Sequence, residues 1–363
     1  MKWIKNYWKE AVLLCGSVST ILVLTEACLR FTSLVNTLPN ESLIEGYYVP
    51  NNERVYDIAR NVSTTTHSFS DGNFDVWSNN LGCYDGDFFG EKPYVFLTGD
   101  SFTWGYTRFN AKWGVVLENA LNKRVLKCGV AGYGTHQQLL KMSSLMDELP
   151  SPEIVVVGHF ANDIRDDINF LDKDPNKSII VIGNESELKN KYCTTTYPEN
   201  PNLQRIKCIL HKNSILYHMF KSIVSQRTGS KVAPITNLEL EYHIAQLRDF
   251  RDLSKSIESK FITVLFPSKE SVYSGVEDES HESLKKNLDL AGIEYFDVTE
   301  YFRKAYLNTQ QQFYWKTDGH WNELGNELAG LLVAQYLLTN DYLEYKKELL
   351  YDIETQLIKK FSI

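Results

Sequence analysis

The chain has 363 residues, of which 43% are apolar and 23% are charged, and its formal net charge is -8. The length allows one large domain or two modest ones, and the composition is that of a folded globular protein. The negative net charge, without any Lys/Arg stripe interleaved with aromatic residues, argues against a nucleic-acid partner. The 21 Tyr and 18 Phe fit either a sugar-stacking surface or an aromatic core, and the core is favoured.

The N-terminus predicts a single-pass membrane anchor. Residues 1–10 form a lysine-containing tail and residues 11–30 the predicted anchor, whose apolar run at 11–29 would be a helix roughly 28 Å long, enough to cross a bilayer core. Its one acid, Glu26, lies near the far end, where a carboxylate can reach the interface. Lysines precede the run and only Arg30 follows closely, so the N-terminus is predicted to be cytoplasmic and the rest periplasmic or extracellular. Without a small-x-small cleavage site, an uncleaved signal anchor is favoured over a signal peptide. A buried helix of a soluble protein is the alternative.

The six cysteines are consistent with an oxidising compartment without proving it. Cys193 and Cys208 bracket a Pro- and Asn-rich loop, and a disulfide between them is left open at even odds. Cys15 and Cys28 are interpreted as residues of the anchor. Cys83 and Cys128 are interpreted as small core residues. No Cys/His spacing resembles a zinc site.

Residues 91–340 alternate between strands and helices, after a segment at 31–90 that is expected to be irregular. Near-continuous apolar strands alternating with amphipathic helices predict an α/β fold with a parallel sheet covered on both faces. The predicted strands are 94–98, 124–130, 153–160, 261–267 and 293–299. The predicted helices are 111–121, 135–149, 237–259, 282–292 and 322–338.

One long interruption and a tail complete the domain plan. Residues 163–235 are too polar and too long for a crossover connection, so a lid or side insertion is expected there. A short helix is predicted within it near 214–224. The C-terminal tail at 341–363 is predicted to be one more helix.

Three predicted strands end in unusual residues, and the carboxyl ends of parallel strands are where active sites form. "GDS" places Ser101 after the first strand, with a hydroxyl that needs a base to become a nucleophile. "GVAGYGT" supplies the amide of Gly132, and "FANDI" supplies the side-chain amide of Asn162. These groups, with the amide of Ser101, are candidate oxyanion donors. Each also fits an ordinary helix cap, glycine turn or asparagine turn.

A fourth motif, "YWKTDGHWNELG", precedes the 322–338 helix. His320 is the candidate general base, and Asp318 would hold its imidazole in the required tautomer. Asn322 is predicted to cap the following helix rather than take part in chemistry. His136 and His159 lie close to strand ends and are expected at most to line the pocket. Three aromatic residues are expected to screen the site from water: Tyr314, Trp315 and Trp321.

Together the four motifs resemble the SGNH, or GDSL-type, serine hydrolase family, whose Ser, Gly, Asn and His match Ser101, Gly132, Asn162 and His320. The resemblance runs from about residue 78 to 335. "VLFPSKESVY" also looks like a strand-end segment of members related to alginate O-acetyltransferases and of other membrane-anchored enzymes that modify sugar acyl groups, including carbohydrate esterases. Two features depart from the commonest pattern: "DGH" replaces Asp-x-x-His, a spacing familiar in the acetyltransferase-like branch, and "GDSF" replaces Gly-Asp-Ser-Leu.

The resemblance implies a three-layer α/β/α sandwich with a five-stranded, mostly parallel, flavodoxin-like sheet. It also implies an acyl-serine intermediate and no metal or organic cofactor. Asp163, Asp166 and Asp167 could suggest calcium, but a solvated polar helix start is favoured.

The resulting hypothesis is an extracytoplasmic, membrane-anchored serine esterase or O-acyltransferase. Its substrate would be acyl esters, with acetyl favoured, of a cell-surface carbohydrate, and a membrane partner that delivers acyl groups is left open. Two alternatives remain. A lipase or thioesterase would need an apolar lid, whereas stretches such as "DKDPNKS" in the insertion are polar. A non-catalytic glycan-binding or assembly protein would have no need of a Ser-His-Asp set.

Overall fold

The computed structural model describes residues 4–32, 46–171, 235–276 and 279–363, and eleven further positions: 206, 209, 210, 213–217, 219, 220 and 223. The chain divides into two compact units. The N-terminal unit comprises Met1–Ser42, Ser68–Ser70 and Lys189–Pro234. The core unit comprises Leu43–His67, Asp71–Leu188 and Ile235–Ile363.

The N-terminal unit contains helix α1 (Ile4–Leu29), which covers the predicted anchor. Its Val12–Leu29 stretch is long and apolar enough to cross a membrane, and none of that stretch is buried. The hydroxyls of Ser17 and Thr20 donate to carbonyl oxygens one turn earlier in the same helix, at 2.9 Å each. Polar side chains satisfied within the helix are compatible with a lipid surrounding. The predicted apolar helix is therefore present.

Two short hairpins occupy the described part of the segment at 31–90, where scattered strand-like runs are expected. β1 (Tyr48–Asn51) pairs antiparallel with β2 (Val55–Ile58), and β3 (Thr65–Phe69) pairs with β4 (Gly72–Val76). The strands are short and mostly polar, but in β4 buried and exposed residues alternate, as a strand with one packed face requires. We call residues 46–92 the lead-in segment.

A five-stranded parallel sheet forms the centre of the core unit, as the sequence predicts. Its strands are β5 (Val95–Gly99), β6 (Val125–Lys127), β7 (Ile154–His159), β8 (Lys260–Leu265) and β9 (Tyr295–Asp297). Their order is β6-β5-β7-β8-β9, and every neighbouring pair is parallel. The first strand of the sheet thus lies between the second and third, which is the flavodoxin-like order.

Helices cover both faces of this sheet and give the expected three layers. Along β5, Val95 and Leu97 face one apolar core while Phe96 faces the other, because successive side chains of a strand point to opposite faces. The first core is closed by α3 (Trp113–Leu121), α7 (Lys269–Ser274), α9 (Thr299–Thr309), α10 (Glu323–Thr339) and α11 (Lys347–Phe361). The second is closed by α4 (Thr135–Met146), α5 (Asp163–Leu171), α6 (Asn237–Ser256) and α8 (Glu279–Ala291). A single turn, α2 (Ser101–Trp104), follows β5.

The interruption begins later than predicted. Residues 163–171 form α5, whose Ile164 is buried in the second core, so this stretch belongs to the domain and not to an insertion. The described residues between 206 and 223 are helical except Ser214, in agreement with the short helix predicted near 214–224. Cys193 and Cys208 lie outside the described residues.

A disulfide joins Cys83 and Cys128, which were expected to be separate core residues. Their Cα atoms are 4.6 Å apart, within the range that a disulfide bridges. Asp85 accounts for the approach, because its carboxylate accepts the backbone N–H of Lys127 at 3.0 Å and lies 3.2 Å from the ammonium of the same lysine. This buried ion pair fixes the lead-in segment beside β6. The earlier interpretation failed because the two cysteines are 45 residues apart and no local pattern pairs them.

Removing the bridge with Cys83→Ser/Cys128→Ser should lower the free energy of unfolding by about 2–4 kcal/mol, since the crosslink closes a long loop in the unfolded chain. Urea titration of the detergent-solubilised chain, followed by tryptophan fluorescence, measures this. Cys15→Ser/Cys28→Ser, which changes two exposed residues of α1, is the matched control. Equal midpoints for the wild type and the bridge variant would contradict the prediction.

Candidate active site

The turn after β5 presents Ser101 at the carboxyl edge of the sheet. A Cβ atom at Gly99 would lie 2.6 Å from the carbonyl oxygen of Gly158, so only glycine fits there. Asp100 caps α2, because its carboxylate accepts the Phe102 N–H at 2.9 Å. The acid of "GDS" is therefore a buried cap that holds the turn, which leaves the serine side chain half-buried at the sheet edge.

Ser101, His320 and Asp318 form one chain of hydrogen bonds. His320 Nε2 lies 2.8 Å from Ser101 Oγ, and His320 Nδ1 lies 2.6 Å from Asp318 Oδ1. Burial alone would raise the pKa of Asp318, but hydrogen bonds from the ring and backbone of His320 bring that pKa below its ordinary value. An ionised Asp318 keeps the imidazole proton on Nδ1. The lone pair on Nε2 is therefore available to accept the proton of the serine hydroxyl. Chemically, this arrangement can activate a serine hydroxyl as a nucleophile.

Two aromatic rings hold the imidazole of His320 between them. Tyr106 stacks on it with centroids 4.2 Å apart and planes at 14°, and Phe102 packs against it at 5.0 Å. The indole of Trp315 donates to the carbonyl oxygen of Tyr106 at 2.8 Å and so ties the two loops together. The other two aromatics expected to screen the site, Tyr314 and Trp321, are instead buried in the first core.

Asp71, in the β3–β4 hairpin, binds the loop that carries Asp318. Its carboxylate accepts the Thr317 N–H at 3.1 Å, the Thr317 hydroxyl at 2.5 Å and the Asp318 N–H at 2.9 Å. The same loop is closed at its other end by Asn322, which caps α10 by accepting the Gly325 N–H at 3.1 Å, as predicted. The loop bearing the candidate acid and base is therefore held at both ends by side-chain oxygens.

The loop after β6 presents Gly132 in a conformation that favours glycine. Its φ is +79°, and a Cβ atom there would lie 2.9 Å from the Tyr56 hydroxyl. That hydroxyl donates to the carbonyl oxygen of Ala131 at 2.8 Å. Burial, reinforced by nearby carboxylates, raises the pKa of Tyr56, which keeps it a donor. Tyr56, from β2, thus supports the turn that exposes the Gly132 amide.

Asn162 follows β7, the other neighbour of β5 in the sheet. Its side-chain amide donates to Asp166 Oδ2 at 2.7 Å, and it also interacts with the carboxylate of Asp100, the residue before Ser101. One N–H of this amide is therefore held by Asp166. The three candidate oxyanion donors come from three adjacent strand ends, as the sequence predicts.

The histidines and acids that were not expected to take part in the chemistry have hydrogen-bond partners within the core unit. His159 is fully buried, so it does not line the site. Its Nε2 lies 3.0 Å from Nε2 of His243, and His243 Nδ1 lies 2.7 Å from Asp167 Oδ2. Burial lowers the pKa of His159 and raises that of Asp163. Half-buried His136 contacts the hydroxyl of Tyr242 through Nδ1 at 2.6 Å.

The expectation of a solvated polar helix start is therefore wrong for Asp163 and Asp167, which are both completely buried. Their hydrogen bonds hold the beginning of α5 against the core, because Asp163 accepts the Phe160 N–H and Asp167 accepts the His136 N–H. Among the residues that the structure describes, no group of three or more His, Cys, Asp or Glu side chains could hold a metal ion.

Three residues that support the site were not predicted from the sequence: Tyr56, Asp71 and Tyr106. Tyr106 lies five residues after Ser101, within the motif region, but nothing in its spacing indicates a ring stacked on a histidine more than 200 positions away. Asp71 precedes a glycine, a common hairpin signal that predicts the turn and not its partner. Their roles depend on contacts between distant parts of the chain.

Comparisons with known proteins find no matching family model and no matching curated protein. Solved structures with a similar fold include a lipolytic protein of the G-D-S-L family from Desulfitobacterium hafniense, at 13% identity, with 67% of this chain and 99% of that chain covered and a TM-score of 0.37. A lipolytic G-D-S-L family protein from Veillonella parvula matches at 15% identity, 65% and 93% coverage, and a TM-score of 0.34. An acetylxylan esterase from Geobacillus stearothermophilus matches at 12% identity, 71% and 99% coverage, and a TM-score of 0.39. Likeness at this level does not indicate what this chain acts on.

Asp71→Ala should slow the labelling of Ser101 by a serine-directed fluorophosphonate about 10–100-fold, because the Asp318 loop loses its anchor and the base is misplaced. The matched control is Asp75→Ala, which removes another carboxylate of the same hairpin, one that accepts a hydrogen bond from the Thr66 hydroxyl at 3.1 Å. Labelling rates are followed by mass spectrometry of the intact chain. If Asp71→Ala labels as fast as Asp75→Ala, the hairpin does not position the site.

Tyr106→Leu removes the ring stacked on His320 and should slow the same labelling reaction about 3–10-fold, the value of one aromatic contact. Tyr106→Phe keeps the ring and should label at a rate near that of the wild type. Stopped-flow labelling with a fluorescent phosphonate separates the two variants. Equal slowing in both would assign the effect to the tyrosine hydroxyl and not to the stack.

Proposed function

We propose that this chain is a membrane-anchored, extracytoplasmic serine esterase or O-acyltransferase that acts on acyl esters, with acetyl favoured, of a cell-surface carbohydrate. The observation that carries the proposal is the hydrogen-bonded chain Ser101–His320–Asp318 at the carboxyl edge of a parallel sheet. A serine bonded to an imidazole whose other nitrogen is bonded to a carboxylate is the arrangement that acyl transfer through serine requires.

In this mechanism Ser101 Oγ attacks the carbonyl carbon of the ester while its proton passes to His320 Nε2. Asp318 stabilises the imidazolium that forms, through the bond at Nδ1. The tetrahedral intermediate then collapses, the C–O bond to the sugar breaks, and the departing alkoxide takes the proton from His320. The product is an acyl ester of Ser101, which water or a second sugar hydroxyl releases by the reverse sequence of proton transfers.

The negative charge on the carbonyl oxygen would be stabilised by the amides of Ser101 and Gly132 and by the side chain of Asn162. Asp166 holds the side-chain amide of Asn162 through one N–H, and the second N–H of the same amide would donate to the oxyanion. Donors held in place before reaction stabilise this charge at little reorganisation cost. Tyr56 and Asp166 act by positioning those donors.

The extracytoplasmic location is supported by two independent features. Lysines precede α1 and only one arginine follows closely, which favours a cytoplasmic N-terminus. The buried Cys83–Cys128 disulfide belongs to the core unit, and disulfides persist in oxidising compartments. A chain oriented the opposite way would keep this pair in a reducing environment.

The proposal of a carbohydrate substrate rests on the resemblance of "DGHW" and "VLFPSKESVY" to motifs of sugar acyl-modifying enzymes. It rests also on the predicted membrane anchor. A lipase or thioesterase is less favoured because the stretches at 172–178 and 184–202 of the interruption, where an apolar lid would be needed, are polar. A non-catalytic glycan-binding protein is opposed by the complete Ser-His-Asp chain, which binding alone does not require.

The full chain, solubilised in detergent, should hydrolyse p-nitrophenyl acetate, and Ser101→Ala and His320→Ala should each reduce kcat about 10⁴-fold or more. Ser274→Ala, which changes an exposed serine at the end of α7, is the control. Mass spectrometry would show an increase of one acetyl group on the peptide containing Ser101 during turnover.

Three outcomes separate the candidate functions. Turnover lost in both triad variants supports the esterase. Labelling of Ser101 by a fluorophosphonate without turnover, with turnover restored by an added oligosaccharide acceptor, supports the transferase. A folded chain that shows neither labelling nor turnover contradicts both and favours the binding protein.

A further inference from the structure

The only acidic side chain between Val12 and Leu29 has hydrogen-bond partners outside its own helix. Glu26 accepts from the Ser214 hydroxyl at 2.9 Å, from the Ile215 N–H at 2.9 Å and from the Leu216 N–H at 3.1 Å. Arg30, one turn later on α1, donates to the carbonyl oxygen of Asn213. All of these residues belong to the N-terminal unit. The end of the apolar helix therefore binds residues almost 190 positions further along the chain.

These contacts explain why a carboxylate is tolerated near the end of a membrane-spanning helix. The N–H groups that begin a helical turn have no carbonyl partner of their own, and they carry partial positive charge. A carboxylate is a fitting partner for them. Because Glu26 lies close to the end of α1, the residues that it binds must lie at the depth where the membrane meets water.

Large apolar side chains are exposed along the same stretch. Phe220 is 67% exposed and Ile209 is 61% exposed, whereas neighbouring Ile215 is completely buried. The remaining exposed apolar residues of the stretch are Ile206, Leu210, Met219 and Ile223. Aromatic and aliphatic side chains exposed together, next to a membrane-spanning helix, are what an interfacial segment presents to lipid.

The sequence around these residues is strongly basic. Residues 200–238 contain no Asp or Glu and six Lys or Arg: Arg205, Lys207, Lys212, Lys221, Arg227 and Lys231. The whole chain, in contrast, has a net charge of -8. Such a local excess of positive charge, combined with exposed apolar residues, favours a surface of anionic phospholipid.

We propose that the described residues between 206 and 223 form a second membrane contact, lying on the anionic phospholipid surface at the C-terminal end of α1 and fixed there by Glu26. The proposal rests on the proposed function in one respect, namely that α1 spans the membrane. The bilayer is favoured over a protein partner because the exposed apolar residues are continuous, through the Glu26 contacts, with the helix that would already be in lipid.

The test uses the full chain in liposomes with an environment-sensitive NBD label at a single new cysteine, Phe220→Cys. Cys15, Cys28, Cys193 and Cys208 are changed to serine, and the Cys83–Cys128 pair stays oxidised. The matched control carries the label at Leu307→Cys, an exposed apolar position on α9. Vesicles contain phosphatidylcholine alone or with phosphatidylglycerol, each with and without nitroxide-labelled lipid.

The label at 220 should show blue-shifted emission and quenching by the nitroxide lipid, more strongly with phosphatidylglycerol, and the label at 307 should show neither. Adding Glu26→Gln should shift the emission of the label at 220 toward the red, because the segment loses the carboxylate that accepts its hydrogen bonds. Emission at 220 that is as red and unquenched as at 307 would overturn the proposal. Equal quenching at 220 and 307 would also overturn it, since the contact would not be specific to this segment.

Failure of the anchor is distinguished by an alkaline carbonate wash of the same vesicles. Chain that is washed off lacks a membrane-spanning helix, which overturns both the proposed anchoring and this contact. Chain that resists the wash but carries an unquenched label at 220 overturns this proposal alone. Phe220→Ser should weaken the lipid contact without changing p-nitrophenyl acetate hydrolysis by solubilised chain, because the residue is outside the Ser101 site.

Discussion

The hydrogen bond between Ser101 and His320 joins two residues that are 219 positions apart, and the rest of the site is arranged around it. Neither residue belongs to the interior of a long helix or strand. Ser101 is placed by the turn that Asp100 caps, and His320 is placed by a loop between α9 and α10. A single hydrogen bond contributes only about 1 kcal/mol to stability, so it cannot hold two loops by itself. The surrounding contacts must do so.

Much of that support comes from the lead-in segment. Tyr56 holds the Gly132 turn, and Asp71 holds the loop that carries Asp318, while Asp85 fastens the same segment beside β6. Two of these contacts reach the end of β6 or the loop that follows it, and the Asp71 contact reaches the loop between α9 and α10. The sheet therefore places Ser101, Gly132 and Asn162, and the lead-in segment restricts the loops around them.

Buried carboxylates in the part of the chain that the structure describes follow one rule. Asp100, Asp163 and Asp167 are removed from water, and each accepts hydrogen bonds from backbone N–H groups or from an imidazole. Glu26 does the same at the end of α1. A charge removed from water without a hydrogen-bond partner would cost much free energy, so each of these acids requires a partner. In α5 this requirement explains acids that sequence composition alone would assign to a solvated helix face.

The sequence by itself determined the elements and the candidate chemistry. Apolar runs of five to eight residues located all five strands of the sheet, because strand periodicity is a local property. Motifs at three strand ends made Ser101, Gly132 and Asn162 candidates, and the motif before α10 made His320 a candidate. The tertiary structure alone decided the Cys83–Cys128 pairing, the stacking of Tyr106 and the contact of Asp71 with the Asp318 loop. Those features depend on which distant segments meet. The contact between Asp71 and Thr317 spans 246 residues and leaves no local pattern in the sequence. Its energy is gained only after the fold has brought the two segments together.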